Sequence, residues 1–406
     1  MRLKEILSKY FKGDKVIWGV IFTLSIFSLL AVYSSTGTLA YKYQEGNTAY
    51  YIVKHFVLLA VGLGIIYITH LIPYKYYSRL SQLFLYISIF LLAITLVMGT
   101  SLNQATRWLT LPGLGLTIQT SDLAKLALIM YLARVLSMRQ DENKINDLNG
   151  VMVSLFLPVL LVCGLIMPAN LSTALILAVT SFLLMFIGRV KIKYLLSVSS
   201  VGLVIIAFVI AGVLMSGKSS GRIGTWQKRI ESFVSGESED NYQVEQSKIA
   251  IATGGIFGKG PGNSTQRNFL PHPYSDFIYA IIIEEYGLIG GVFVLFLYLF
   301  LLYRAGVIVR KSNRTFAAFL AIGLSISLVF QAMINMGVAV HLFPVTGQTL
   351  PLVSMGGSSI LFTGVAFGVI LSVSRSVDKN NELLDEENPE KENENITEQQ
   401  DEPEEE

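Results

Sequence analysis

Apolar runs of roughly 17–25 residues recur along almost the whole chain, and each is long enough to cross a bilayer as an α-helix. The runs are continuous, whereas the strands of a membrane β-barrel alternate apolar and polar residues over about 10 positions. Of the 406 residues, 52% are hydrophobic and only 15% are charged, which is less charge than a soluble protein carries. The sequence therefore predicts an all-α polytopic membrane protein.

About ten of these runs qualify as transmembrane helices. They cover Val16–Ser35, Tyr51–Leu71, Leu83–Met98, Asp122–Leu136, Val151–Met167, Leu171–Ile187, Tyr194–Met215, 276–303, Phe316–Met336 and 358–374. The largest loop, Ser216–Ser275, separates the seventh span from the eighth. The single cysteine, Cys163, lies inside the fifth span, so no disulfide framework is expected.

Lysine and arginine are distributed unevenly between the two sides of this arrangement. The basic connections fall on one side, which the positive-inside rule assigns to the cytoplasm. They are residues 1–15, Pro73–Arg79, Ser137–Gly150, Gly188–Lys193 and Arg304–Arg314. Both termini are then cytoplasmic, and the loop Ser216–Ser275 is extracytoplasmic.

Charge also divides the chain into a basic N-terminus (1–15), a membrane domain (16–376) and an acidic tail (377–406). From Asp378 to Glu406 there are 14 acidic residues and only 2 lysines. The rest of the chain holds 29 basic and 15 acidic residues, a net charge of +14. Because the tail cannot bury enough apolar area to order itself, we predict a disordered cytoplasmic segment.

Polar residues interrupt the spans on the predicted outer side. Asp122 and Lys125 are three residues apart at the start of the fourth span, so they can pair on one helix face. Arg107 precedes them in the outer loop, and Asn170 breaks the hairpin between the fifth and sixth spans. An ammonium group inside a span is costly and indicates function. A helix cap explains Asp122, and a tight turn explains Asn170, without any ligand.

A glycine-rich basic segment, Gly254–Gly262, lies near the end of the largest loop and contains Lys259. Glycines allow the backbone to approach a ligand closely, and lysine suits a pyrophosphate. The segment lacks the strand–loop–helix context of a phosphate-binding loop, so a mobile, solvated loop is the alternative.

The next segment carries His272 and Asp276 at the boundary of the eighth span, with Glu284 and Glu285 two to three turns inside it. Carboxylates at that depth are expensive and indicate function. Asp276 is either the N-cap of a helix or a working group, because its position permits both.

Two prolines and three glycines break the apolar stretch His341–Ser359, which includes Ser354. This pattern predicts a broken or re-entrant segment that lines a cavity, with an ordinary hairpin loop as the alternative. A Walker A motif, a Rossmann glycine pattern and metal-type Cys/His spacing are all missing from the sequence, which disfavours ATP-driven transport.

Several of these segments together resemble the signatures of the SEDS family of membrane glycosyltransferases (shape, elongation, division and sporulation proteins). The matching segments are Gly254–Gly262, Leu270–Ala280 with its Asp-Phe-Ile core, Phe343–Ser359, Arg107-Trp108 and Gln119–Lys125. The pattern from Thr349 to Leu352 is more like the division branch of the family than the elongation branch. Where the family often has Pro-Asp-Leu, this chain has Asn170, so an amide replaces a carboxylate.

The resemblance implies polymerisation of peptidoglycan from lipid II on the outer face of the bacterial cytoplasmic membrane, with Asp276 as the catalytic residue. It also implies a divalent cation (Mg²⁺ or Mn²⁺), a class B penicillin-binding transpeptidase and other division proteins as partners, and a location at the division septum. Nucleic acid is not expected as a partner. Residues expected to bind substrate are Arg107, Asp122, Lys125, Asn170, Lys259, His272 and Ser354.

Two other functions fit the same residues. A transporter or flippase of a lipid-linked sugar would use the basic cavity, with Glu284 and Glu285 as proton carriers. A non-enzymatic scaffold of the division machinery would need Asp276 only as a helix cap, a role that asparagine fills equally well.

Overall fold

The computed structural model describes residues 11–37, 39, 41, 45, 47–102, 105–110, 117–202, 204 and 239–387, and these are mostly helical. The helices are α1 (Lys15–Ser35), α2 (Thr48–Leu71), α3 (Tyr74–Met98), α4 (Thr120–Asp141), α5 (Leu148–Val151), α6 (Leu157–Ile166), α7 (Leu171–Ile187), α8 (Glu239–Gly254), α9 (Ile278–Lys311), α10 (Thr315–Ala339) and α11 (Gly357–Glu387). A π-helical turn, Met152–Phe156, joins α5 to α6, and residues 192–202 are also helical.

Seven helical segments in the described ranges are long and apolar enough to cross a membrane, which confirms the predicted all-α membrane fold. They are Lys15–Ser35, Thr48–Leu71, Tyr74–Val97, Leu148–Ile166, Ile278–Lys311, Thr315–Ala339 and Gly357–Lys379. The more polar α4 and the shorter α7 lie at the positions predicted for two further spans. The predicted span Tyr194–Met215 lies mostly outside the described residues, so the total of ten stays a prediction.

Two predicted boundaries differ from the structure. The loop Ser216–Ser275 contains the helix α8, and its residues 216–238 lie outside the described part of the chain. The last helix, α11, continues to Glu387, past the predicted start of the disordered tail, because its glutamate, leucine and lysine residues favour helix. Residues 1–10 and 388–406 also lie outside the described residues.

An ion pair fixes the beginning of α1 against α9. The Oδ1 atom of Asp14 caps α1 by accepting hydrogen bonds from the amides of Val16 and Ile17 at 2.8 and 3.2 Å. Its Oδ2 atom accepts a hydrogen bond from Arg304 Nε at 2.8 Å. The start of α1 and the basic end of α9 therefore lie on the same side of the bundle, as the predicted topology requires.

Glycines bring α2 and α11 into close backbone contact. A Cβ atom added at Gly364 would lie 2.9 Å from the carbonyl oxygen of Gly62. One at Gly368 would collide with the side chain of Thr69. Since lipid tails are as apolar as leucine, helices inside a membrane associate largely through such close packing of small residues.

The long helix α9 is broken at Gly287, whose φ of 71° and ψ of −175° are not helical. Unbroken, its 34 residues would measure about 51 Å, well beyond the ~30 Å of a bilayer core. Exposed apolar side chains begin only after the break, with Leu288, Ile289 and Val292. Glu284 and Glu285 therefore lie about two turns after the start of α9, in its buried first part and before the lipid-facing run, and their depth in the membrane stays a prediction.

A small antiparallel sheet lies between α3 and α4, in a region where the sequence predicts only a loop. Its strands are β1 (Thr100–Leu102), β2 (Ala105–Thr110) and β3 (Thr117–Gln119), in the order β1-β2-β3. Trp108 of β2 pairs with Gln119, the residue directly before α4. The sheet thus connects the Arg107-Trp108 motif to the helix that carries Lys125.

The packing of α2 on α11 gives a test of the fold. Gly364→Ala places a methyl group against the Gly62 carbonyl, so we expect a lower melting temperature in detergent. Gly64→Ala is the matched control on α2, because a Cβ there meets nothing within 4 Å. Alanine favours helix over glycine by about 1 kcal/mol, so the control should keep or raise the melting temperature. Equal melting temperatures for the two variants would contradict this packing.

Candidate active site at one end of the bundle

Asp276 lies in the turn that leads into α9, with a half-buried side chain. The N-cap residue of α9 is Phe277, whose side chain makes no capping hydrogen bond. Asp276 therefore lies one residue before the N-cap, and its catalytic role stays a prediction.

Donors from α10 and from the segment 340–356, here named the anchoring loop, hold the backbone of this turn. The carbonyls of residues 274–276 accept hydrogen bonds, in that order, from Met355 N at 2.9 Å, Ser354 Oγ at 2.6 Å and Asn335 Nδ2 at 2.9 Å. Three consecutive carbonyls are thus held by groups that come from outside the turn. The backbone of Asp276 has a fixed position relative to α10 and the anchoring loop.

The anchoring loop contains a strained residue that its neighbours support. Leu352 has a φ of 66°, a left-handed conformation that is costly for a bulky side chain. On one side of it, Tyr298 OH donates to the carbonyl of Pro351 at 2.6 Å. On the other side, Ser28 Oγ donates to the carbonyl of Val353 at 2.8 Å. Side chains from α1 and α9 therefore stabilise the strained turn, which in turn holds Asp276.

Lys125 and Asp122 form a nearly buried ion pair, with Nζ 2.8 Å from Oδ1, as their spacing predicts. Lys125 Nζ also donates to Gln331 Oε1 of α10 at 2.9 Å. These three residues line a cavity of about 40 Å³ between α4, α10 and α11. Asp122 Oδ2 is buried and accepts no hydrogen bond from the described residues. The cavity wall therefore holds a fixed ammonium group beside an acceptor that can still bind a donor.

One face of α10 connects Lys125 with Asp276. Gln331 and Asn335 are four residues apart and so lie on the same helix face. Gln331 accepts a hydrogen bond from Lys125 and donates to the carbonyl of residue 349 at 2.9 Å. Asn335 donates to the carbonyl of Asp276 and to that of residue 348, the latter at 2.7 Å. Sequence analysis assigned no role to either amide. Side-chain amides in an apolar span are themselves a signal, since they commonly bond across helices.

Asn170 is the N-cap of α7, with Oδ1 accepting from Thr173 N at 3.3 Å. Thr173 Oγ1 accepts from Gln348 Nε2 at 2.7 Å, which links this cap to the anchoring loop. The Nδ2 atom of Asn170 is buried without a hydrogen bond to the described residues. The structure thus assigns Asn170 a capping role, and its contact with substrate stays a prediction.

Lys259 is paired with Glu284 rather than pointing freely into solvent. Its Nζ atom lies 2.6 Å from Glu284 Oε1 and 3.0 Å from Thr265 Oγ1. Glu284 is fully buried and also accepts hydrogen bonds from the amides of Thr265 and Gln266 at 3.1 and 3.2 Å. A carboxylate bound by so many donors organises the loop, which argues against a mobile proton carrier. Contact between Lys259 and a pyrophosphate stays a prediction.

The glycine-rich segment packs, backbone to backbone, on the break in α9. A Cβ atom at Gly254, Gly258 or Gly287 would collide with the backbone of the opposing segment. The amides of residues 259 and 260 donate to the carbonyls of residues 284 and 285, each at 2.9 Å. At Gly254 and Gly258 the glycines therefore serve chain packing within a hydrogen-bonded turn, and ligand contact by the rest of the segment stays a prediction.

Glu285 joins the same loop to the end of α1. Its Oε1 atom accepts hydrogen bonds from Ser34 Oγ and from Ser264 N, the latter at 3.3 Å. Arg267 Nη1 donates to the carbonyl and the hydroxyl oxygen of Ser34, both at 3.1 Å. The sequence gives no sign of the roles of Ser34 and Ser264, because only the fold brings these distant positions together.

Three predicted substrate-binding residues remain, and they differ in burial and in the contacts that the structure describes. His272 is exposed, with Nδ1 3.1 Å from Tyr274 OH, and lies four residues before Asp276. Arg107 lies in β2, but its side chain is outside what the structure describes. Substrate contacts of these two residues stay predictions. Ser354 is buried and bonds the turn of Asp276, so the geometry gives it a positioning role, and its contact with substrate stays a prediction.

The sequence matches one family of known proteins along most of its length. The sequence model of the FtsW, RodA and SpoVE family, described as a cell cycle protein, matches residues 14–379. The chain is 32% identical over 381 residues to the probable peptidoglycan glycosyltransferase FtsW of Trichlorobacter lovleyi, which covers 91% of this chain and 96% of the relative. It is 33% identical over 369 residues to the protein of the same name from Coxiella burnetii, and the match covers 88% of this chain and 95% of that relative.

Solved structures share the fold. A chain from a peptidoglycan synthase complex, studied for its coordination of polymerization and crosslinking, has a TM-score of 0.66 and 27% identity, covering 90% of this chain and 98% of its own. The rod shape determining protein RodA of Thermus thermophilus has a TM-score of 0.63 and 26% identity, and the match covers 90% of this chain and 97% of RodA. The similarity therefore extends over the whole bundle rather than one motif.

The bonds of Glu284 give a test of the loop. Glu284→Gln replaces one accepting oxygen with a donor amide and removes the buried charge that faces Lys259. We expect faster hydrogen exchange at the amides of Thr265 and Gln266, because they bond both carboxylate oxygens and glutamine keeps only one of them, without its charge. Glu245→Gln, on the exposed side of α8, is the matched control and should leave exchange unchanged. Wild-type exchange in the Glu284 variant would show that the carboxylate does not organise the loop.

Proposed function

This chain belongs to the FtsW, RodA and SpoVE family of cell cycle proteins, and we propose that it is a peptidoglycan glycosyltransferase. It polymerises lipid II at the outer face of the cytoplasmic membrane during cell division, with Asp276 as the general base. The observation that carries this proposal is the anchoring of Asp276 by three hydrogen bonds to consecutive carbonyls. A catalytic base requires this kind of fixed position, whereas a surface carboxylate does not.

The chemistry follows from the properties of a carboxylate. Asp276 takes the proton from the acceptor sugar hydroxyl as that oxygen attacks the anomeric carbon of the donor. The new carbon–oxygen bond forms while the bond from the anomeric carbon to the pyrophosphate breaks, and the polyprenyl pyrophosphate leaves with the electron pair. A single base and a good leaving group favour inversion at the anomeric carbon, so no second carboxylate is required.

The leaving pyrophosphate needs positive charge nearby, and Lys125 is the best-placed donor in the described residues. Asp122 and Gln331 bond two of its three N–H groups, which leaves the third for a ligand in the cavity. Gln331 and Asn335 fix this ammonium and Asp276 from the same face of α10. Arg107 contributes further charge in this proposal.

The next question is which groups would bind a divalent cation. The described residues contain no group of three or more His, Cys, Asp or Glu side chains that could hold a metal ion. They do not form an all-protein metal site. Magnesium is often held by one or two carboxylates together with substrate phosphates. We therefore propose that Mg²⁺ or Mn²⁺ binds together with the pyrophosphate of the substrate.

The protein is integral to the membrane, and its partners and orientation extend the proposal. One structure that shares this fold comes from a peptidoglycan synthase complex, which supports a transpeptidase partner for this chain. We place both termini in the cytoplasm and the protein at the division septum, together with other division proteins. The bond between Asp14 and Arg304 supports this topology, because it joins two ends predicted to be cytoplasmic.

Replacing Asp276 tests the enzyme directly. Asp276→Asn keeps the size and the backbone bonds of the residue but removes the base. We expect polymerisation of lipid II, measured as glycan chain formation by the purified protein with its transpeptidase partner and Mg²⁺, to fall by about 100-fold or more. Binding of lipid II should stay within a few-fold of wild type.

The same variant separates the alternatives. A scaffold that uses Asp276 only structurally would support normal growth with asparagine at this position. A flippase would move lipid-linked sugar across reconstituted liposomes without forming polymer. Either result, obtained with folded protein, would contradict the proposed activity.

Removal of the metal tests where the cation binds. Chelation by EDTA should abolish polymerisation, whereas Mg²⁺ should not change the melting temperature of the protein without substrate, because the described residues offer no site of their own. With a lipid II analogue bound, added Mg²⁺ should raise the melting temperature. A rise in the absence of substrate would show that the chain holds the ion by itself.

A further inference from the structure

Asn335 occupies an unusual place for a side-chain amide. It lies in the apolar helix α10 and is only 1% exposed. Burying an amide costs free energy unless it is hydrogen-bonded, so the hydrogen-bond partners of Asn335 indicate its role. Its Nδ2 group donates to the carbonyl of Asp276 at 2.9 Å and to the carbonyl of Gln348 at 2.7 Å.

We propose that Asn335 is the positioning residue of the reaction, because its amide joins the backbone of the general base to the anchoring loop. The proposal rests on the proposed role of Asp276. Both N–H groups of one planar amide are used, so the two carbonyls are held in a fixed relation to each other. Asn335 does not reach the substrate in this proposal and acts only through Asp276.

The other two anchors of the turn support this assignment. Ser354 Oγ donates to the carbonyl of residue 275 and accepts from Leu350 N at 2.8 Å, while Met355 N donates to the carbonyl of residue 274. Both come from the anchoring loop. Asn335 is the anchor from a membrane-spanning helix, so it relates the turn to the bundle as well as to the loop.

Position matters because proton transfer requires the carboxylate to lie within about 2.6–3.2 Å of the hydroxyl that it deprotonates. Displacement of a catalytic group by about 1 Å can cost on the order of 100-fold in rate. A change of backbone position should therefore reduce kcat while leaving KM nearly unchanged, since the groups proposed to bind pyrophosphate lie elsewhere.

The test compares Asn335→Asp with a control on the same helix. Aspartate has the shape of asparagine but lacks both donors when ionised, so it repels the two carbonyls. We expect kcat for lipid II polymerisation, per folded protein, to fall at least tenfold with KM changed less than threefold. The acidic limb of the kcat profile should move to higher pH, because a second carboxylate nearby raises the pKa of Asp276.

Ser325→Ala is the matched control. Ser325 is buried on α10, and its hydroxyl has no hydrogen bond to the described residues, so its loss should change neither kcat nor the acidic limb. Ser354→Ala serves as a milder variant if Asn335→Asp does not fold. It removes the adjacent anchor and should lower kcat by a smaller amount, without moving the acidic limb because it adds no charge. A wild-type kcat in this variant would contradict the anchoring of Asp276.

Each outcome has a defined meaning. A fall in kcat without movement of the acidic limb would assign Asn335 a merely structural role, and a wild-type kcat would remove its role altogether. Both results overturn the inference. Asp276→Asn, measured alongside, separates this failure from failure of the proposed function. If that variant is inactive while Asn335→Asp behaves as wild type, only the positioning role is lost.

Discussion

Three hydrogen bonds to the carbonyls of residues 274–276 are the constraint on which this end of the bundle depends. Because the turn is irregular, its carbonyls have no helical partners, and a backbone group that is buried costs free energy unless it finds a partner. Asn335, Ser354 and Met355 supply those donors. The same bonds that satisfy the carbonyls of the turn also give the backbone of Asp276 a defined position, so stability and the proposed function share one set of contacts.

The surrounding parts hold this frame in place. The strained Leu352 would relax without the bonds on either side of it, which come from α1 and α9. The break at Gly287 ends the buried first part of α9, and Glu284 binds the preceding loop to that part. Strain and buried charge are costly, and they persist here because several helices impose them together.

The sequence alone predicts the membrane fold and most of the spans, because the length and hydropathy of an apolar run are local properties. It also predicts the pair of Asp122 and Lys125, which depends only on helical spacing. It does not predict the partners of Asn335 or the packing of the glycine-rich segment. Those contacts join positions far apart in the chain, so they depend on the tertiary fold. Local reasoning interpreted the glycines as ligand contacts, whereas at Gly254 and Gly258 they admit a neighbouring backbone.

The most direct measurement is a cryo-EM map of the chain with lipid II bound at both the donor and acceptor positions. The account predicts the Asp276 carboxylate within about 2.6–3.2 Å of the acceptor hydroxyl, with the three carbonyl bonds intact. It also predicts the donor pyrophosphate beside Lys125. An acceptor bound far from Asp276, or a turn released from Asn335 and the anchoring loop in the productive complex, would contradict it.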